Sequence, residues 1–371
     1  VKILHLFNNW KCTGPADPAL NLTRALGKRG HEVYFICGVK RGRPQPLADK
    51  ARLRGVRLVE GMRLSKHRRI IGTWLDIRFL AKWLKENPMD VLHVHMDNGH
   101  LIAAKALKRS GTSALLVRSV YDGGLATIGR RTRRVISRRC DRLIVHSRAV
   151  AQAAPAIFRI PPEKVFHVEG AIDSEVFMPR ERNAECMGRL GLGANDVVTG
   201  IVARMQDHRR FDVFFQALRK ACAAVPNLKA LVIGRGTQSK ELGPVLAEKS
   251  GVGDRVIFCG YRKDDYADVI NCMDFKIFLM PGSDGTCRAV RECMSMGKPV
   301  IAARRGMLAE IVDNEVNGLI IDDTAENLAA AMVRLGSEPE TRERMGKAAA
   351  EKGARLFGLA QQAAIVEKCY R

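Results

Sequence analysis

Short runs rich in Val, Ile, Leu and Phe alternate along this chain with longer segments whose apolar residues recur every three or four positions. The short runs lie at 1–7, 31–37, 56–60, 91–95, 114–120, 143–147 and 165–169, and again at 197–203, 229–234, 256–259, 275–280, 299–303 and 319–322; each predicts a strand. The longer segments, such as 17–29, 71–85, 211–224, 326–336, 340–355 and a last one at 356–370, predict helices. Strands that alternate singly with helices build parallel sheets covered on both faces. The alternation occurs twice, on either side of a polar stretch near 180–196 that contains Gly188, Gly191 and Gly193. This predicts an α/β protein of two Rossmann-like domains, 1–180 and 181–371, facing each other across a cleft, with the last helix packing back on the first domain. Sheets of this kind take ligands beyond the carboxyl ends of their strands.

Composition narrows the class. The chain has 371 residues, 46% hydrophobic and 27% charged, which is globular rather than disordered. No uncharged apolar run approaches the roughly 18 residues of a membrane span. The opening Val1-Lys2-Ile3-Leu4-His5-Leu6-Phe7 reads as a strand, not as a signal peptide. The 10 cysteines include no C-x-x-C pair, so zinc or iron–sulfur spacing is missing and a reducing cytoplasm is expected.

Charge changes the picture more. Net charge is +23, and residues 1–180 carry 34 Lys and Arg against 14 Asp and Glu, a net +20. The densest run is 130–142, which as a helix would cover most of its surface with arginine. The first half is therefore expected to meet something anionic. Aromatics are 6% of the chain and none interrupts the run, so stacking on nucleic acid is not indicated. An anionic membrane surface, or an acceptor carrying phosphate, fits better.

Three segments could carry chemistry. In 280–301 a buried strand ends, a turn containing Gly282 and Gly285 follows, and a helix of about three turns leads to Gly297 and the next strand. The free N–H groups at the start of that helix suit a phosphate. Asp284 in the turn and Glu292 in the helix are either ligand-binding acids or a capping acid and a surface glutamate. In 200–211 a strand ends at Arg204 and a loop carries Arg209 and Arg210 into a helix. A cation at a helix N-terminus opposes the dipole unless an anion lies between them, so Arg204 and Arg209 are candidate diphosphate clamps. In the basic half, His95, Asp97, Tyr121 and Asp122 follow two strands and would face the cleft, where they could orient or deprotonate an acceptor hydroxyl. His93 and His95 could bind a metal, but no third ligand is evident; His93 reads better as a core histidine. The turn at 6–18 lacks a full G-x-G-x-x-G, and Gly234-Arg235-Gly236 is too short to be specific.

Taken together these residues resemble the retaining glycosyltransferases of family 4 (glycosyl transferases group 1), of GT-B fold, over essentially the whole chain. The resemblance rests on two acids separated by seven residues, Asp284 and Glu292, followed by Gly297-Lys298-Pro299-Val300-Ile301. It extends to Glu310-Ile311-Val312 with Asn317-Gly318-Leu319, and to Gly170-Ala171-Ile172-Asp173 with Phe177. It implies that Glu292 holds the ribose hydroxyls of a nucleotide sugar and that Asp284 contacts the donor sugar. The backbone through Gly285, Thr286, Cys287 and Arg288 would meet sugar and phosphates. Arg204 matches the clamp arginine, and the clamp lysine is replaced by Arg209 or, with a one-residue gap, by Arg210; Arg209 is favoured. Tyr261 lies where the base is held, and Gly14 matches a flexible glycine near donor and acceptor. Asp284 is one methylene shorter than the usual glutamate, and Tyr121 stands where the family has a histidine on the acceptor side.

The expected function is transfer of a hexose from a UDP- or GDP-linked sugar to an acceptor hydroxyl, in lipopolysaccharide, glycolipid or polysaccharide synthesis. The two arginines can do the work of a metal, so no metal or other cofactor is expected. Retention of configuration is implied by the resemblance alone. The expected partners are the nucleotide sugar, a lipid-linked or saccharide acceptor, and the anionic inner face of a membrane, with no nucleic acid. The alternatives are a sugar-nucleotide epimerase of the same shape and a non-catalytic binder of nucleotide sugars or anionic lipid.

Overall fold

The structure, a computed structural model, describes residues 1–40, 42–66, 69–121, 128–281 and 287–371. It divides into two compact units, the first from residues 1–171 with 359–371, the second from 172–281 with 287–358.

The first unit holds a parallel sheet of β1 (Lys2–Phe7), β2 (Glu32–Cys37), β3 (Arg57–Leu58), β4 (Val91–Val94), β5 (Leu115–Val120), β6 (Arg142–Val145) and β7 (Val165–His167). Their order is β3-β2-β1-β4-β5-β6-β7. The central strands are apolar on both faces because helices cover both: Ile3, Leu4, Leu6 and Phe7 are all fully buried. The edge strand is shorter than the sequence predicts. It has one neighbour and pairs only through Tyr34 with Arg57 and Phe35 with Leu58. The arginine run is also less helical than expected. Only Arg130–Ile136 forms a helix, because β6 begins at Arg142 and the chain must turn to enter it.

The C-terminal helix Leu359–Cys369 belongs to this first unit. Its Ala363, Val366 and Cys369 pack among Leu22, Leu26, Val91 and Ile144. Gln362 donates to the Glu169 carbonyl (2.8 Å) and Arg29 pairs with Glu367 (2.5 Å). The helix expected from residue 356 therefore starts three residues later. Leu356 closes the preceding helix, Pro339–Leu356. Phe357 is then fully buried, with the Arg291 guanidinium 4.6 Å from its ring centre, and its carbonyl accepts from the Ile172 N–H (2.8 Å).

The second unit carries β8 (Val197–Val202), β9 (Leu228–Ile233), β10 (Val256–Gly260), β11 (Phe275–Phe278), β12 (Val300–Ala303) and β13 (Gly318–Ile321), ordered β10-β9-β8-β11-β12-β13 and all parallel. The helices Phe211–Ala224 and Ala325–Ser337 pack on one face, with Phe214, Phe215, Leu218, Leu328 and Met332 fully buried. Gly318 opens β13 because a β-carbon there would lie 2.3 Å from the Val300 carbonyl oxygen. Asn317 beside it is buried, and its side chain closes a turn onto both the backbone and the carboxylate of Asp313.

Candidate active site

In each sheet the strand order reverses beside one strand: β2 and β4 flank β1, and β9 and β11 flank β8. Crevices outside the carboxyl ends at such points are the ligand sites of α/β sheets. In the second unit, β8 leads into Arg204 and Arg209, and β11 leads to Met280.

Arg204 is exposed and makes no hydrogen bond or ion pair among the described residues. Arg209 closes a short turn, Asp207–Arg209, and its Nη1 donates to the Met280 carbonyl (2.6 Å). Its Nε is buried with no acceptor. Burial, and then the Arg204 charge beside it, shift its pKa downward. An exposed and a half-buried cation side by side, with no carboxylate between them among the described residues, form a site that an anion stabilises. Arg210 is differently engaged. Its guanidinium pairs with Asp323 (2.6 Å), which also receives Arg305 (2.9 Å). Of the two arginines, Arg209 is the one left with an open guanidinium nitrogen.

The backbone here is shaped for that pair. Gly234, at φ +141°, would put a β-carbon 2.0 Å from the Ala203 carbonyl oxygen, and Gly236 would put one 2.1 Å from that of Met205. Glycine at both positions lets the loop after β9 close on the segment that holds Arg204. Arg210 and Cys287 sit in left-handed backbone at φ +60° and +50°, each directly before a helix. Such non-glycine residues cost about 1–3 kcal/mol and cluster at functional sites.

Glu292 lies on the helix Arg288–Ser295, which is eight residues long rather than three turns. It ends there because Gly297 turns left-handed (φ +74°) and the Lys298 N–H returns to the Cys293 carbonyl (3.0 Å). Glu292 is only 4% exposed. Its Oε2 accepts from the Tyr266 hydroxyl (2.9 Å), and its Oε1 lies 3.2 Å from Arg288 Nε. Burial and the neighbouring Glu292 carboxylate raise the Tyr266 pKa well above its usual value, so it stays protonated and donates. Phe177 packs edge-on against the Tyr266 ring, 6.0 Å between centres. Tyr261 follows β10, is 63% exposed and carries the Arg235 guanidinium 4.9 Å from its ring centre. Cys287 is buried and starts the Glu292 helix. Gly282, Asp284, Gly285 and Thr286 lie outside the described residues, as does Asp122.

In the first unit, Gly14 lies in the half-buried turn before the helix Ala16–Lys28. His95 and Tyr121 are 3% and 7% exposed, and His95 Nδ1 shares a hydrogen bond with the Tyr121 hydroxyl (2.8 Å). His95 Nε2 meets His5 Nδ1 at 2.9 Å. His93 bonds Ser119 Oγ (2.8 Å) and the Tyr370 hydroxyl (2.7 Å). The Asp97 carboxylate is held by Arg118 (2.8 Å) and Thr132 (2.9 Å) rather than standing alone. His5 is the third histidine that sequence reasoning did not find. It sits opposite His93 in the β1–β4 register, and one nitrogen from each of His5, His93 and His95 falls within 4.8 Å of the others. Of their six ring nitrogens, only His5 Nε2 is buried without a partner. Burial pushes the His5 pKa down to about 3 and, together with neighbouring positive charge, holds His93 and His95 well below the usual value. The cluster is neutral and internally hydrogen-bonded.

Sequence reasoning also missed Tyr266, which lies 26 residues from the acid it serves, and the packing role of Gly234 and Gly236. Only the quoted Gly234-Arg235-Gly236 after a strand signalled the latter.

Two parallel α/β units, each with its polar residues gathered at a strand-order reversal, define the GT-B class of fold. Two family models match the chain: Glycosyltransferase Family 4 over residues 18–176 and Glycosyl transferases group 1 over residues 185–352. A D-inositol 3-phosphate glycosyltransferase of Kribbella flavida is 28% identical over 246 residues, 62% of this chain and 56% of the relative. One of Segniliparus rotundus is 27% identical over 214 residues, 56% and 47% of the two chains. The chain thus spans about half the length of the curated relatives it matches. Among solved structures, a glycosyltransferase from Rickettsia africae aligns with a TM-score of 0.82 at 17% identity, over 100% of this chain and 97% of that one. Anabaena HepE in complex with UDP aligns at 0.83 and 17%, over 99% of each. The chain belongs to the family 4, group 1 glycosyltransferases of GT-B fold.

Proposed function

We infer that the protein transfers a hexose from a nucleoside diphosphate sugar to an acceptor hydroxyl, with retention of configuration and without a metal. The observation that carries this reading is the Arg204–Arg209 pair. It is positive, it has no carboxylate partner among the described residues, and one guanidinium nitrogen is buried without an acceptor among them. Departure of the nucleoside diphosphate is the hard step, and cations preorganised in a poorly solvated place stabilise the charge that develops on it. Glu292, oriented by Tyr266 and Arg288, is suited to accept the two ribose hydroxyls. The exposed Tyr261 ring offers a face for the base. Asp284 would contact the sugar, with the N–H groups of the following turn on the phosphates.

UDP is the first donor to test, because HepE, a protein of similar fold, is known in complex with UDP and with UDP-glucose. The relatives are named for an inositol phosphate acceptor, and one solved neighbour is a lipopolysaccharide galactosyltransferase. An acceptor with anionic groups, lipid-linked or saccharide, at an anionic membrane surface fits the +20 charge of residues 1–180.

Thermal unfolding with EDTA, against UDP, GDP, ADP, CMP and their sugar conjugates, tests the donor site. Binding to the native state raises the midpoint by mass action. A shift with one nucleoside diphosphate, abolished in Glu292→Ala, is expected. No shift with any of them would overturn the donor-site reading, and a shift that appears only when metal replaces EDTA would overturn metal independence.

A further inference from the structure

The helix Ile70–Glu86 in the first unit carries an apolar stripe that none of the described residues covers. Ile70 is 80% exposed, Ile71 73%, Trp74 51% and Leu75 41%. Their spacing of i, i+1, i+4 and i+5 puts all four on one side of the helix. Thr73, Asp76, Leu80 and Leu84 form the opposite, buried side. Four large exposed apolar side chains in two turns are more than the scattered exposure usual for a soluble surface.

The stripe continues as positive charge. Arg78 is next along it, its guanidinium 4.6 Å from the centre of the Trp74 ring, and the exposed Lys82 and Lys85 follow. The loop before the helix is fastened to it, because the buried Asp76 carboxylate accepts the backbone N–H groups of Arg63 (2.9 Å) and Leu64 (3.0 Å). The exposed Arg63 and Lys66 lie on the segment that precedes the helix in sequence. Of the nearby acids in sequence, Glu86 lies at the far end of the helix, 3.8 Å from Lys82, and Glu60 pairs with Arg52.

We propose that Ile70, Ile71, Trp74 and Leu75 insert into the interfacial layer of an anionic bilayer while Arg63, Lys66, Arg78 and Lys82 engage its headgroups. Charge complementarity selects this occupant. A protein partner of matching shape would need a dense acidic rim, whereas an anionic leaflet supplies negative charge over its whole surface. An amphipathic helix with Trp and Ile on one stripe and basic residues around it binds in the plane of the interface. No helix of the described residues is long and apolar enough to cross a membrane, so the contact lies on the surface. The proposal deepens the reading of a membrane-located acceptor and gives the first unit a fixed orientation on the lipid.

The full chain is mixed with phosphatidylcholine vesicles, with and without phosphatidylglycerol, and sedimented. Tryptophan emission is recorded in parallel with lipids brominated along the acyl chain. Binding to the anionic vesicles is expected, with bromine quenching of Trp74. Ile70→Ser with Ile71→Ser should weaken vesicle affinity at least about tenfold, and Trp74→Phe should keep binding while losing the quenching. Unchanged nucleotide-induced thermal shifts in both variants show that they fold, and they separate this proposal from the donor-site reading. Four results would overturn it: no binding, binding without quenching, binding indifferent to the serine substitutions, or a dimer in solution that depends on Ile70 and Ile71.

Discussion

Lowering the pH from 7 to 5 should strip several kcal/mol of stability from the first unit while leaving the carboxylate chemistry of the molecule largely in place. His5 is fully buried and its pKa is pushed from 6.5 down to about 3 by burial. His100 is driven down to about 4 by burial and by the Arg118 charge, against the Arg139 carbonyl and Asp97 that favour its proton. In the unfolded chain both take a proton near 6.5. Between that value and the folded pKa the unfolded state binds protons that the native state refuses, so stability is fully present above about pH 6.5 and falls as the pH drops. Linkage puts the loss at pH 5 at about 2 kcal/mol for each of the two, or about 4 kcal/mol in all, against the 5–15 kcal/mol that typically holds a domain together. His93 and His95, shifted the same way, add to it. Protonating both His5 and His95 would also set two N–H groups against each other across their 2.9 Å contact. Asp76, whose carboxyl is raised by burial, works in the opposite direction. The assay is urea unfolding followed by tryptophan emission. It reports this unit alone, because all 3 tryptophans, Trp10, Trp74 and Trp83, lie in it. His100→Gln keeps a donor for the Arg139 carbonyl but cannot take a proton, and should recover about 2 kcal/mol of the loss. Equal stability at pH 7 and pH 5 would refute the neutral, buried histidine cluster.

Arg209→Ala should lower kcat on a nucleotide-sugar donor about a hundredfold, the usual cost of losing one preorganised cation or donor at a developing charge. Arg209→Lys should recover only part of that, since an ammonium cannot bond the Met280 carbonyl and a phosphate in the same planar geometry; equal rates in all three proteins would remove Arg209 from the site. Tyr266→Phe takes the hydroxyl from a buried carboxylate and should weaken nucleoside diphosphate binding by about 1.5–3 kcal/mol, roughly ten- to a hundredfold. Calorimetric titration that finds an unchanged Kd would mean that Glu292 does not hold the nucleotide.

Much of the fold was readable before any contact was known, and the reason is local. A parallel strand covered on both faces must be apolar at nearly every position, so each strand announces itself as a short run bounded by polar turns. The departures fell where a neighbour rather than the chain set the limit. β3 is cut to two residues by having a single partner, and the last helix is interrupted at Phe357 and Gly358 by pairing with Ile172. The arginine run leaves its helix at Ile136 because β6 claims the residues from Arg142 onward.

For the site, the linear sequence determined the kinds of residue and their approximate place. Arginines after β8, an acid in the helix after β11 and polar residues after β4 and β5 can all be read from spacing, because strand ends fix where a side chain emerges. Partnership was decided only in three dimensions. Arg210 pairs with Asp323 across 113 positions of sequence, which leaves Arg209 with an open Nε. Tyr266 comes from another helix to orient Glu292, and β1 brings His5 beside His93 across 88 residues. Hydrophobic periodicity says which face of an element is buried, but not which element lies against it. Strand order and register decide that, and with them which charges are paired, which are left open and which imidazoles must stay neutral.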